Sequence, residues 1–278
     1  MVMIRSSLKF NRAVSIVAAI AFTAIVATAQ PPSASLTANV DDNKAEAVVT
    51  RATEAIGGSS FLNIQTVIGR GFYTTYQDGA PLLPTRFVDY ISFPDKERTE
   101  FTTNGVRVIN ANIGSTGWLY DGATKSLNDL KAPQVEDFKR GMRASFENLL
   151  RGWWRKENAT LAYIGRREAG LAKRNEALRV TYPDGFWVEF EIGARDGMPA
   201  KVIYKRTRTK PDSEETVEVT EEDWLAKPIV LSGVTAFYVI DHYVDGKQTS
   251  RINYESIEYN RPLPETLFTK PANAKSVK

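Results

Sequence analysis

The stretch "ALRVTYPDGFWVEFEIGARDGMP" (177–199) decides the fold. Before Asp184-Gly185, Leu178 and Val180 alternate with Arg179 and Thr181. After it, Val188, Phe190 and Ile192 alternate with Glu189 and Glu191. A period of two rich in branched and aromatic residues reads as a half-buried strand. Asp-Gly tolerates the positive φ angles of a tight hairpin, and "GARDGMP" reads as a longer hairpin loop. The same grammar recurs outward along the chain. Asn104-Gly105 separates "RTEFTT" from "VRVINA", Asp121-Gly122 follows "GWLY", and Asp245-Gly246 joins "YVIDHYV" to "KQTSRINY". With "TVIGRGFYTTY", "TRFVDYISF" and "ERTEFTT", these runs predict an antiparallel sheet built mostly from sequence neighbours.

Two segments break this period. "KAEAVVTRATEAIGG" (44–58) places Ala47, Val48, Ala52, Ala55 and Ile56 at helical spacing, and Gly57-Gly58 suits a left-handed stop. "PQVEDFKRGMRASFENLLRGWW" (133–154) carries Val135, Phe138, Met142, Phe146, Leu149, Leu150 and Trp153 on one stripe. Gly141 is the expected bend in that helix. The stripe reads as core packing, or as a lid over a hollow in the sheet.

The N-terminus is of a different kind. Arg5, Lys9 and Arg12 precede the uncharged run "AVSIVAAIAFTAIVA", and "ATAQ" sets Ala27 and Ala29 before Gln30. Basic region, short apolar core and A-x-A site describe a secretory signal peptide over residues 1–29. The rival, an uncleaved anchor, asks for roughly 18 apolar residues or more. "QPPSASLTANVDDN" (30–43) reads as a flexible lead-in, leaving 44–278 as a single domain. Removing residues 1–29 takes the formal charge from +3 to zero, so the basic balance is no nucleic-acid footprint. "KRTRTK" (205–210) is answered by "SEETVEVTEED" (213–223), as two solvated strand ends around a loop. A phosphate or headgroup site there would lack interleaved aromatics.

The chain has no cysteine and one histidine. That removes thiolate nucleophiles, disulfides and nearly every zinc, copper or haem site. No cofactor or metal is expected, and no "DxDxDG" run suggests calcium. His242 follows Asp241, but adjacent residues on a strand point to opposite faces. His242 should lie with Ile240, Tyr238 and Ala236, and Asp241 with Val239, Phe237 and Thr235. With no "GxSxG" elbow either, no catalytic residue is assigned and the chain is read as a non-enzyme. A glycosidase-type carboxylate pair needs only geometry and stays open. Aromatics spread over many strands instead suggest an apolar hollow. Its candidate lining is Phe72, Phe87, Phe101, Trp118, Trp187 and Phe237, with Phe138, Met142 and Phe146 from the helix. Their facing depends on strand register.

At this point a likeness becomes legible. "VVTRATEAIGGSSFLNIQTVIGRGFY" (48–73) resembles the opening of outer-membrane lipoprotein-sorting carriers and their LolA/LolB-like relatives. "YISFPDKERTEF" looks like the second and third strands of that group, "GWLYDG" like a strand ending in an Asp turn, and "IEYNRPLPETLFTKPANAKSV" like its C-terminal end. The resemblance implies an α+β fold: a curved antiparallel sheet forming an unclosed half-barrel covered by a few α-helices. It implies a periplasmic protein, outer-membrane associated or free, that carries lipid or lipoprotein acyl chains. Its partners would be the acyl chain and a transient envelope protein, with no nucleic acid and no integral membrane segment after cleavage. The alternative is an envelope sensor or interaction module of the same fold. One departure stands out. The carrier proper has an arginine before the proline of the second turn, where this chain has Phe93 before Pro94.

Overall fold

The computed structural model describes residues 40–209 and 215–277. The segment read as a signal peptide lies outside the described residues, as does most of the lead-in. Helix α1 (Val40–Ala55) begins four residues inside that lead-in. An Asp- and Asn-rich stretch reads as loop, but it is equally the composition of a helix's first turn. A single turn, α2 (Ser59–Leu62), follows Gly57-Gly58, both at positive φ.

The sheet comes next in strands β1 (Thr66–Gln77), β2 (Ala80–Pro81), β3 (Thr85–Ser92), β4 (Lys96–Thr103), β5 (Val106–Ile113), β6 (Thr116–Asp121) and β7 (Ser126–Asp129). A helical segment interrupts it with α3 (Ala132–Arg143), α4 (Phe146–Leu150) and a 3-10 turn over Trp153–Glu157. The chain then returns to β8 (Thr160–Glu168), β9 (Arg174–Thr181), β10 (Trp187–Gly193), β11 (Pro199–Thr209), β12 (Thr216–Leu231), β13 (Val234–Val244) and β14 (Lys247–Tyr259). The bend in the helix falls at Ala144-Ser145 rather than at Gly141, which stays inside α3. Ser145 restarts the helix because its hydroxyl accepts the Asn148 N–H, as a good N-cap does.

All pairings are antiparallel, in the order β7-β6-β5-β4-β3-β1-β14-β13-β12-β11-β10-β9-β8, with β2 beside β1. Every neighbour is next in sequence except β3 against β1, which skips only the two-residue β2, and β1 against β14, where Val67 faces Tyr259. The sheet does not close, and β7 and β8 are its free edges. The Asn-Gly and Asp-Gly hairpins at 104–105 and 245–246 carry positive φ at both positions, as their chemistry predicts.

Helices and sheet share one core. Ala45, Val48, Val49 and Ala52 of α1 and Phe146, Leu149 and Leu150 of α4 pack on one face of the strands, the inner face. A second, smaller cluster lies on the other face. There Ile109, Ala111 and Trp118 sit beneath the C-terminal segment, and Trp118 Nε1 donates to the Phe268 carbonyl at 2.6 Å.

Candidate binding cavity

Register sorts the aromatics. Phe87 and Phe101 face each other on β3 and β4 with ring centroids 6.3 Å apart, and Tyr73 and Tyr254 pack on them edge-on. Phe146 of α4 meets Phe190 of β10 at 5.2 Å, and Met142 packs against the same core. These residues come together on the inner face. Phe72, Trp118 and Trp187 do not. Phe72 pairs with Arg86, whose guanidinium lies over its ring at 4.7 Å. Trp187 lies under Arg179 at the same distance, and Trp118 belongs to the outer cluster. All three leave the cavity because alternation turns them outward. Phe138 is half-buried on α3, outside both clusters.

A cavity lies between the inner face and the helical cover, at the end of the sheet that holds the Phe93-Pro94 turn. Ile56, Phe61, Val67, Phe146, Leu225 and Ile257 are among its walls. Phe237 borders it too and is 6 % exposed, although alternation sets it opposite Ala236 and Ile240. Of the nine candidates, Phe146 and Phe237 line this cavity. It encloses about 540 Å³ of empty space counting its open mouth, but only about 40 Å³ admits the centre of a water-sized sphere. A single water needs roughly 10–15 Å³ by that measure. This cavity as it stands therefore has room for a few waters and for no extended chain.

Polar groups in this wall are few, and Arg151 is the most notable. It follows α4 and lines the cavity beside Glu147. Its guanidinium donates to the carbonyls of Phe61 (2.8 Å) and Leu62 (3.0 Å). It also lies over the rings of Phe61 and Phe93, each at 4.7 Å, and of Trp153 at 5.4 Å. Burial pulls its pKa down to about 10. Phe93 thus packs against an arginine that comes from the helical segment.

Farther along the same face, polar residues replace apolar ones. Asp241 and His242 do diverge: Asp241 binds Arg251 (2.6 and 2.9 Å) and Gln248 (2.6 Å). His242 finds a different carboxylate. Its Nδ1 lies 2.7 Å from Asp223 on the neighbouring strand, and its Nε2 lies 4.0 Å from Glu221. Glu221 also takes the Tyr204 hydroxyl and the Arg208 guanidinium. The acids of "SEETVEVTEED" are therefore not all solvated. Glu221 and Asp223 are buried, because β12 turns its odd-numbered residues inward beside Leu225. Arg206 ties this cluster to Asp137 of α3. Among the described residues, no group of three or more His, Cys, Asp or Glu is arranged to hold a metal ion. No described helix is long and apolar enough to cross a membrane.

No family model matches this chain, and no curated protein does. Solved structures do. A LolA superfamily protein from Nitrosomonas europaea is 13 % identical, with a TM-score of 0.52 over 81 % of this chain and 97 % of that one. A domain from Vibrio parahaemolyticus, named as an outer membrane lipoprotein-sorting protein, is 10 % identical, with a TM-score of 0.54 over 83 % of this chain and 98 % of its own. A DUF1329 family protein from Desulfovibrio piger is 11 % identical, with the same TM-score and the same two shares. At such identities the likeness is one of fold: this chain has the open half-barrel of the LolA superfamily structures.

Proposed function

We propose that this is an exported envelope protein that binds an acyl chain, of a lipid or a lipoprotein, between the inner face of its sheet and the helical segment 132–157. Residues 1–29 direct export, and the mature chain starts near Gln30 in the periplasm. The observation that carries the reading is the cavity walled by Phe61, Phe146, Leu225 and Ile257 and roofed by helices rather than by a closing strand. The fold it shares with a lipoprotein-sorting domain supports the ligand class. Because the closed cavity is small, an acyl chain enters by lifting the roof, and Arg151 is the contact that must yield. The activity asks for no chemistry from the protein, only burial at about 0.8 kcal/mol per CH₂ before ordering costs.

The test is a titration of the mature chain with fluorescent acyl probes of increasing length, at low and high salt. Affinity should rise with length and change little with salt, since the mature chain is formally neutral. Binding that ignores length and collapses with salt would place the ligand on the surface instead.

A further inference from the structure

Asp89 stands on β3 between Phe87 and Ile91, opposite Gly69 of β1 and Thr99 of β4. It is 0 % exposed. Glu97 of β4 faces the same way, opposite Ile91 on one side and Asn112 of β5 on the other, and is buried too. Among the described residues, the one side-chain donor that reaches either carboxyl is the Thr99 hydroxyl. It lies 2.8 Å from Asp89 Oδ1 and 3.4 Å from Glu97 Oε1. A hydroxyl has a single hydrogen to give. Asp89 Oδ2 is buried without a partner, and so is the side-chain oxygen of Asn110, which faces Thr99 from β5. The acceptors outnumber the donors.

Among the described residues, no cation makes up the difference. Arg98 and Arg70 point to the outer face, where they pair with Glu100 and Glu258. The other titratable groups acting here are Tyr254 of β14, packed so tightly over Gly69 that a Cβ there would meet its ring at 2.6 Å, and Tyr259 beyond it. Two ionised carboxylates in this setting would be buried without compensation, and like charges sharing a site do not both ionise.

We propose that Asp89, Thr99 and Glu97 form a proton-binding site in the inner wall of the half-barrel, where the two carboxyls keep at least one proton while the wall is closed and loosen β3–β5 on losing it. Burial pushes the Asp89 carboxyl up to about 7, and burial together with the Asp89 charge pushes Glu97 well above the ordinary range. The sign follows from linkage. Both pKa values lie above their unfolded values near 4, so the folded state binds more protons between about pH 4 and pH 7. The contribution to stability is full below that window, falls as pH rises through it, and goes on falling for as long as Glu97 keeps its proton in the folded state. One retained proton makes the fall roughly tenfold in the folding constant per pH unit.

The experiment is carboxyl ¹³C NMR of the mature chain from pH 4 to pH 9, with urea unfolding and amide exchange at each pH. At pH 6, one of the two carboxyls should still be protonated. Between pH 5 and pH 7, the wild-type folding constant should fall roughly tenfold per pH unit relative to Asp89→Asn, which removes the first titration. Exchange in β3–β5, corrected for its intrinsic pH dependence, should rise over the same range while β9–β10 stays protected. Should Asp89→Asn fail to fold, Glu97→Gln takes its place, and the wild-type NMR titration decides in any case. Both carboxyls ionised by pH 5 would overturn the proposal, as would a tightly retained divalent cation between two ionised carboxylates.

Discussion

Replacing Arg151 by methionine keeps most of the side-chain stem and deletes the guanidinium. The loss comprises two hydrogen bonds from a charged donor, at 2.8 and 3.0 Å, each worth about 1.5–3 kcal/mol. Three ring contacts at 4.7, 4.7 and 5.4 Å add about 0.5–1 kcal/mol each. Against this stands the cost of burying the cation, visible in its pKa of about 10, which methionine does not incur. Such contributions are not additive, and the net loss comes to about 2–4 kcal/mol of docking between α4 and α2. At about 1.4 kcal/mol per decade, the ratio of lifted to closed roof rises roughly 30- to 700-fold. Native-state hydrogen exchange reads this directly. Amides of α4 and α2 should lose protection by that factor while those of β5 and β6, whose buried side chains belong to the separate outer cluster, keep theirs. An equal loss at every site would mean that Arg151 contributes only to global stability. No loss at all would mean that the roof is held by its apolar contacts alone. Either result refutes the latch.

Two further substitutions test other parts of the structure. His242→Ala removes a partner that lies 2.7 Å from the buried Asp223 side chain, so urea unfolding should show a loss of about 1.5–3 kcal/mol, with acyl binding retained; a cost under about 0.5 kcal/mol would mean that the pair is idle. Gly71→Ala would set a Cβ 2.0 Å from the Asn253 carbonyl oxygen at the bulge between β1 and β14, and thermal unfolding should fall as for an overpacked core, by about 1–3 kcal/mol or more. An unchanged midpoint would mean that this seam is looser than described.

What could be read in the sequence was what is local. The Asp184-Gly185 and Asp245-Gly246 hairpins specify themselves through backbone angles their own residues prefer, and so the meander was legible. Facing was not, except where the pattern of a strand was taken literally. In "TRFVDYIS", the period of two that turns Phe87 and Ile91 inward turns Asp89 inward with them, and in "ERTEFTT" it does the same for Glu97 and Thr99 beside Phe101. The signal for the buried acids was present, but acids between aromatics read as a solvated face. The partner of His242 could not be read, because Asp223 reaches it across a strand pair whose register depends on the whole sheet. Trp118 was misplaced for a tertiary reason: its cover comes from Phe268 at the other end of the chain.

The strand order has a mechanical consequence. The chain makes two leaves, β1 to β7 and β8 to β14, and each folds up from hairpins of its own. They are bound along one spine, the pairing of β1 with β14, where Val67 meets Tyr259. That pairing is the one contact between strands distant in sequence, so its loop-closure cost should weigh on the folding rate more than any hairpin does. The spine also puts the two free edges, β7 and β8, at the fore-edge of the book, and the segment carrying α3 and α4 runs from one to the other as a clasp. The length of that clasp therefore limits how far the leaves can spread apart.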